Sequence, residues 1–255
     1  MSLMRIALRT AAVLALKGRT QAGDTVLDSE LGTVVDVDGR LLLDSDKKRF
    51  IVVYTDDGRT VPEEAKALHE AEKVELKFEY GIAANLTFKE RDPDTGEEFD
   101  AVAPGIPFTS RSAELYLDLV GFQILKVLRD PDSELSDIFR DFYTSIEKIE
   151  RRRRGSERTG ERVAAQQIVL TLNLEEEPQS LDILDKECGF IRLLNVLDEL
   201  GGDDQTIAEL IRNQLPSGLT DDEKTQELLG LTDAALGALG LHEIQDDSPD
   251  LAGAE

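Results

Sequence analysis

The residue types able to carry chemistry are few and scattered. His69 and His242 are the only histidines and Cys188 the only cysteine. Neither histidine has a cysteine or a second histidine at ligand spacing, and metal or nucleophilic sites need such convergent partners. Both histidines are therefore expected to be plain surface residues. Cys188, in DKECGFIRLL, is expected to be a buried helix residue rather than a nucleophile. In RDPDTGEEFD, Asp92, Asp94 and Glu98 invite a calcium reading. An EF-hand loop requires an acid or Asn at position five, Gly at six and Glu at twelve. Counted from Asp92, those places hold Gly96, Glu97 and Ala103, so the pattern fails. Asp-Pro-Asp-Thr-Gly is already sufficient as a β-turn. Phosphate-loop, dinucleotide and nucleophile-elbow signatures do not occur in the sequence. No catalytic residue, metal or cofactor is expected, and the chain reads as a non-enzyme.

The most concentrated charge feature is the run of Arg151, Arg152, Arg153 and Arg154, with Arg158 and Arg162 close behind. Such clusters bind phosphates or act as localisation signals. Two other roles compete. Arginines after a helix favour its negative C-terminal end, and in an acidic protein they can pair with acids, within the chain or on a neighbouring subunit. The 255 residues carry 29 basic and 53 acidic side chains, net −24. That field repels nucleic acid and anionic lipid at long range, so pairing with acids is favoured over DNA contact. The six arginines are taken as a subunit or partner interface.

The acid is unevenly spread: residues 175–255 hold net −17 and the first 174 residues net −7. A 40% hydrophobic fraction is enough for a real core. The apolar run Ala11–Leu16 is closely followed by Lys17 and Arg19 and is too short for a signal-peptide core. No span approaches transmembrane length. The protein is expected to be made and used without secretion.

Several elements can be placed from periodicity. Residues 3–17 form a helix with one stripe of Leu3, Ile6, Ala7, Thr10, Val13 and Leu14. A second strip of Leu8, Ala12 and Leu16 suggests contact with something beyond its own sheet. Residues 25–32 suit a short strand and loop. Arg49–Thr55 is a β-branched and aromatic run, expected as a central strand buried on both faces and ended by Asp56-Asp57-Gly58. In 73–82, Val74, Leu76, Phe78, Tyr80 and Ile82 should face in, with Glu75, Lys77 and Glu79 facing out. Residues 90–108 read as a turn-rich excursion. A long helix over 112–129 confines Asp118, Gln123, Lys126 and Arg129 to an arc of about 140°; the rest of its circumference is apolar. A shorter helix over 133–149 should precede the arginines. Residues 163–174 alternate strictly, with Ile168, Leu170, Leu172 and Leu174 on one face, and need upstream strands as partners.

The expected architecture is α/β (α+β): a small mixed or antiparallel sheet with helices on one side, occupying 1–175 and folding without the rest. An acidic helical extension follows over 176–243, with helices at 180–200, 204–214, 221–229 and 232–240 forming a separate outer module. Residues 244–255 are read as a disordered tail.

The opening helix, ALKGRTQAGDTVLDSELG (15–32), FIVVYTDDG (50–58), VELKFEY (74–80) and ERVAAQQIVLTL (161–172) together resemble the tail terminator proteins of long-tailed phages and related prophages. The resemblance covers residues 1 to about 175, through element order and a loose GRT-x-AGD-x-V-x-DS pattern; it does not reach the acidic extension. It implies a small sheet with helices on one side and a homohexameric ring. That ring caps the tail tube, then offers the surface on which the head joins through its connector, or stopper, protein. It also implies a virion location at the head–tail junction after assembly in the host cytoplasm, DNA only as passing cargo, and no membrane. The competing class is an acidic intracellular adaptor that recruits a basic protein through its C-terminal helices.

Overall fold

A computed structural model of the chain describes residues 2–29, 47–59, 72–91, 98–105, 109–155 and 162–216. Helix α1 (Leu3–Leu16) starts at Ser2, whose hydroxyl accepts the Arg5 N–H and satisfies one free amide of the first turn. Strands β1 (Val26–Asp28), β2 (Lys47–Arg59), β3 (Lys73–Arg91) and β4 (Glu98–Gly105) follow. Then come helix α2 (Arg111–Leu128), helix α3 (Glu134–Arg140) and strands β5 (Tyr143–Gly155) and β6 (Arg162–Leu174). Helices α4 (Gly189–Leu200) and α5 (Gly202–Arg212) complete the described part.

The sheet order is β1-β2-β3-β6-β5, with β4 paired to the far half of β3. β1 runs parallel to β2 and every other pairing is antiparallel, so the architecture is α+β with a mixed sheet. Ile51, Val53, Val74, Leu76, Phe78, Ile168, Leu170 and Leu172 line one face and share a core with α1, α2 and α3. The late strand finds its upstream partner as expected: Phe78 faces Ile168 and Leu76 faces Leu170 across the β3–β6 ladder. α2 crosses that ladder closely, since a Cβ on Gly121 would meet the Tyr80 hydroxyl at 2.5 Å. Burial pushes the Tyr80 phenol up to about 12.

Strand β2 is buried on both faces, as its sequence requires, with Ile51 and Val53 on the helix side and Phe50 and Val52 on the other. It does not stop at Asp56-Asp57-Gly58, but passes through them with a bulge between Asp56 and Gly58. The polar face of β3 also departs from expectation. Lys77 and Glu79 are buried rather than outward. Lys77 Nζ lies 2.7 Å from Asp56 and 3.1 Å from Glu75, while the Tyr54 hydroxyl donates to Glu79 and accepts from Gln167. Such pairing allows charged groups to leave water, and alternation cannot distinguish a wet polar face from a paired one.

Two further expectations are corrected. The excursion over 90–108 is a β-hairpin arm: β3 runs on to Arg91 and β4 returns from Glu98, pairing Glu90 with Phe99 and Ala84 with Gly105. Its turn, with Asp92 and Asp94, lies outside the described residues. The helix over 133–149 ends at Arg140, and Tyr143 begins strand β5. The cause is a bulge between Ile146 and Lys148. It puts Ile146 and Ile149, three residues apart, opposite Leu172 and Leu170 on one sheet face, so a strand mimics helical spacing.

The acidic extension is continuous with the domain core as far as Leu215. Phe190, Leu193, Leu194, Leu197, Ala208, Ile211 and Leu215 are buried in the same cluster as Met4, Leu8 and Phe142. Arg192 fastens α4 to α3, bonding Asp137 at 2.9 Å and standing 3.5 Å from Asp141. That hydrogen bond holds the Asp137 carboxyl below its usual range, whereas burial pushes Asp141 up. The approach is tight enough that a Cβ on Gly189 would fall 2.5 Å from the Asp141 Cβ. α4 and α5 are short and marginal alone, so they dock on each other and on the domain rather than standing as a separate module. The second strip of α1 is explained in the same way: Leu8, Ala12 and Leu16 are fully buried within this chain. The helices expected at 221–229 and 232–240, and the tail 244–255, lie outside the described residues.

Candidate interaction surface

The arginine run lies on strand β5, the edge of the sheet, and not behind a helix. A helix-dipole role for it therefore falls. Arg151, Arg152 and Arg153 are exposed and stand opposite Ile168, Gln167 and Gln166 of β6. Arg154 continues β5, Arg162 opens β6, and Arg158 lies outside the described residues. The pairing predicted with acids is partly intramolecular. Arg153 forms a two-pronged ion pair with Glu114 in the first turn of α2, a geometry suited to the planar guanidinium. Arg152 reaches back to Glu150 at 3.0 Å. Arg151 makes no ion pair among the described residues.

The Arg153–Glu114 fork ties the start of α2 to the end of β5. At the other end, Arg140, just before β5, donates to the Leu128 and Asp130 carbonyls at the close of α2. The two elements therefore run antiparallel. Eight helix residues from Glu114 and four strand residues back from Arg153 both span roughly 12–13 Å, so Ile149 lies about level with Phe122. Ile146 and Ile149 are exposed, and Leu115, Leu119 and Phe122 form an exposed stripe on the outer face of α2. These are two separate exposed apolar patches: Ile146 and Ile149 on the strand edge, and an outward stripe on α2 interleaved with Asp118 and Lys126. The sequence reading missed the α2 stripe because Leu115, Leu119 and Phe122 lie within the arc it assigned to Asp118, Gln123, Lys126 and Arg129.

β5 pairs with β6 on one side and has no strand on the other among the described residues. An open edge of this length is a template for another chain, and basic side chains restrict which chain can approach. Replacing Arg153 with Ser is expected to cost up to about 1 kcal/mol in urea denaturation, the range of a partly exposed pair. Arg151→Ser and Arg152→Ser should leave the midpoint unchanged. Replacing Arg151 through Arg154 together should weaken assembly in a salt-sensitive way; unaltered assembly would make the run a solvated surface feature.

The residues considered for chemistry do not converge. Cys188 is half-buried at the N-cap of α4, where it lines a cavity of about 660 Å³ with Asp141, Phe142 and Glu175. Both histidines lie outside the described residues. Among the described residues no group of three or more His, Cys, Asp or Glu side chains is placed to hold a metal. No described helix is long and apolar enough to cross a membrane. Neither a protein-family model nor a curated protein matches the chain.

Proposed function

We propose that this chain is a structural virion protein of the tail-terminator kind, forming a hexameric ring that ends tail-tube growth and presents the surface for head joining. The observation that carries the reading is the β5 edge, which has no strand beyond it among the described residues, carries the arginine run at its C-terminal end and exposes Ile146 and Ile149. A chain that sets its strongest basic feature and two exposed isoleucines on one sheet edge is built to be met by another molecule. The mixed sheet with helices packed on one face also agrees with the architecture that the resemblance implies. The partners of the ring are further copies of itself, the tail tube and the head connector. DNA passes through it as cargo, and a net charge of −24 keeps a passing polyanion from sticking.

Disrupting the coding sequence in the genome that carries it tests this reading. Electron microscopy of the lysate should show tubes of irregular, excessive length and filled heads without tails, both restored by supplying the protein in trans. Intact particles of uniform tail length would refute it.

A further inference from the structure

Strand β5 ends the sheet, and among the described residues no strand pairs with its outer side. Between the bulges at Ile146/Lys148 and Arg153/Gly155, residues 148–153 keep a regular register against β6. Regular backbone at an open edge is what an incoming strand needs. Ile149 and Arg151 stand opposite Leu170 and Ile168, on the helix face of the sheet. Lys148, Glu150 and Arg152 alternate onto the other face. There Glu150 is shared between Lys148 and Arg152, at 3.0 Å from each, which leaves one positive charge over. On the helix face Arg151 makes no ion pair among the described residues, and Ile149 is 45% exposed. A strand that fits this edge carries acids at two consecutive positions, one for each face, with an apolar residue two places away.

We propose that residues 243–248 of the same chain add to the outer side of β5 as a parallel strand. Residues 217–255 follow Pro216, the last described residue, and carry ten acids and one lysine. Set beside β5 in parallel, Ile244 falls against Ile149, Asp246 against Arg151 and Asp247 against Arg152. The same register puts Glu243 beside Lys148 and the uncharged Gln245 beside Glu150. Five successive positions are matched, with no like charges opposed. Because Asp246 and Asp247 are consecutive, a strand points them to opposite faces, as it does Arg151 and Arg152. Pro249 ends the segment, having no N–H to pair. The other adjacent acids of this stretch, at 221–223, follow Thr220, which with Glu223 reads as the capping box of a helix start. Reach is no obstacle. The 26 residues from 217 to 242 can span roughly 85 Å, against a radius of gyration of about 17 Å for a domain of this size. The covalent link holds the segment near the edge at an effective concentration on the order of millimolar, which favours it over a second copy. β1 already pairs in parallel at the other end of the sheet, so a parallel edge strand suits this mixed architecture. The segment then closes the edge to unrelated chains, and any partner that joins there displaces it.

Hydrogen exchange on the full-length chain, read by mass spectrometry over residues 148–153, tests this. Alternate amides of an edge strand point away from its one neighbour and are protected only when a further strand is present. In the wild type these outward amides should be protected, equally at low and high protein concentration. Asp246→Lys with Asp247→Lys should speed their exchange roughly tenfold or more, toward the rate of a frayed edge. Adding Arg151→Glu and Arg152→Glu to that variant should restore protection. Asp221→Lys with Asp222→Lys changes the net charge equally and should leave protection intact. Fast exchange in the wild type overturns the proposal. So does a loss that the 221–222 control shares, a loss that the reciprocal charges do not repair, or protection that the 246–247 variant keeps. Protection that appears only at high concentration would give the edge to a second copy and overturn the intrachain pairing. Exchange is read on the isolated chain, so its outcome is separate from whether the protein ends a phage tail.

Discussion

A chain ending at Gly160 is expected not to fold. β6 stands between β3 and β5, so its loss removes the only described partner of β5 and exposes one side of β3. Ile168, Leu170, Leu172 and Leu174, all buried, go with it. Each such side chain contributes roughly 1.5–3 kcal/mol, and a domain has about 5–15 kcal/mol of stability in all. The truncated chain should show no cooperative thermal transition by circular dichroism and should aggregate. A sharp melt would mean that the sheet closes without its final strand.

Ending the chain at Pro178 is expected to be severe but not fatal. All six strands remain, but Phe190, Leu193, Leu194 and Leu197 of α4 no longer cover α1 and α3. The loss of one large buried aromatic costs about 3–5 kcal/mol. At about 2–4 °C per kcal/mol for a chain of this size, the melting temperature should fall by on the order of 10 °C or more. Phe190→Ala in the full chain should reproduce part of that fall. Identical melting of the short and full chains would mean that the helices contribute no core, contrary to their burial and to the Arg192 contacts.

Elements with one dominant period were legible in the sequence. α1, α2, the central run of β2 and the late strand β6 each bury a face whose spacing is written in the residues, and all four lie where that spacing puts them. β5 was not legible: a bulge altered its period and the solvent-facing edge removed its alternation. The docking of α4 was hidden for a different reason. Its apolar face, Phe190, Leu193, Leu194 and Leu197, announces that it packs on something, but the recipient is settled by Gly189 and Arg192 meeting α3 residues some fifty positions away. The interaction surface was half legible. The arginines were visible as a run, whereas their place on an edge strand tied to the start of α2 required the Arg153–Glu114 pair to be seen in space.

The claim that this is a ring subunit at the end of a phage tail is tested most directly by locating the protein. Purified particles labelled with antibody to this chain and gold should carry gold at the head–tail junction and nowhere else along the tube. Particles without label, with the protein instead recovered on a basic host protein, would contradict the account.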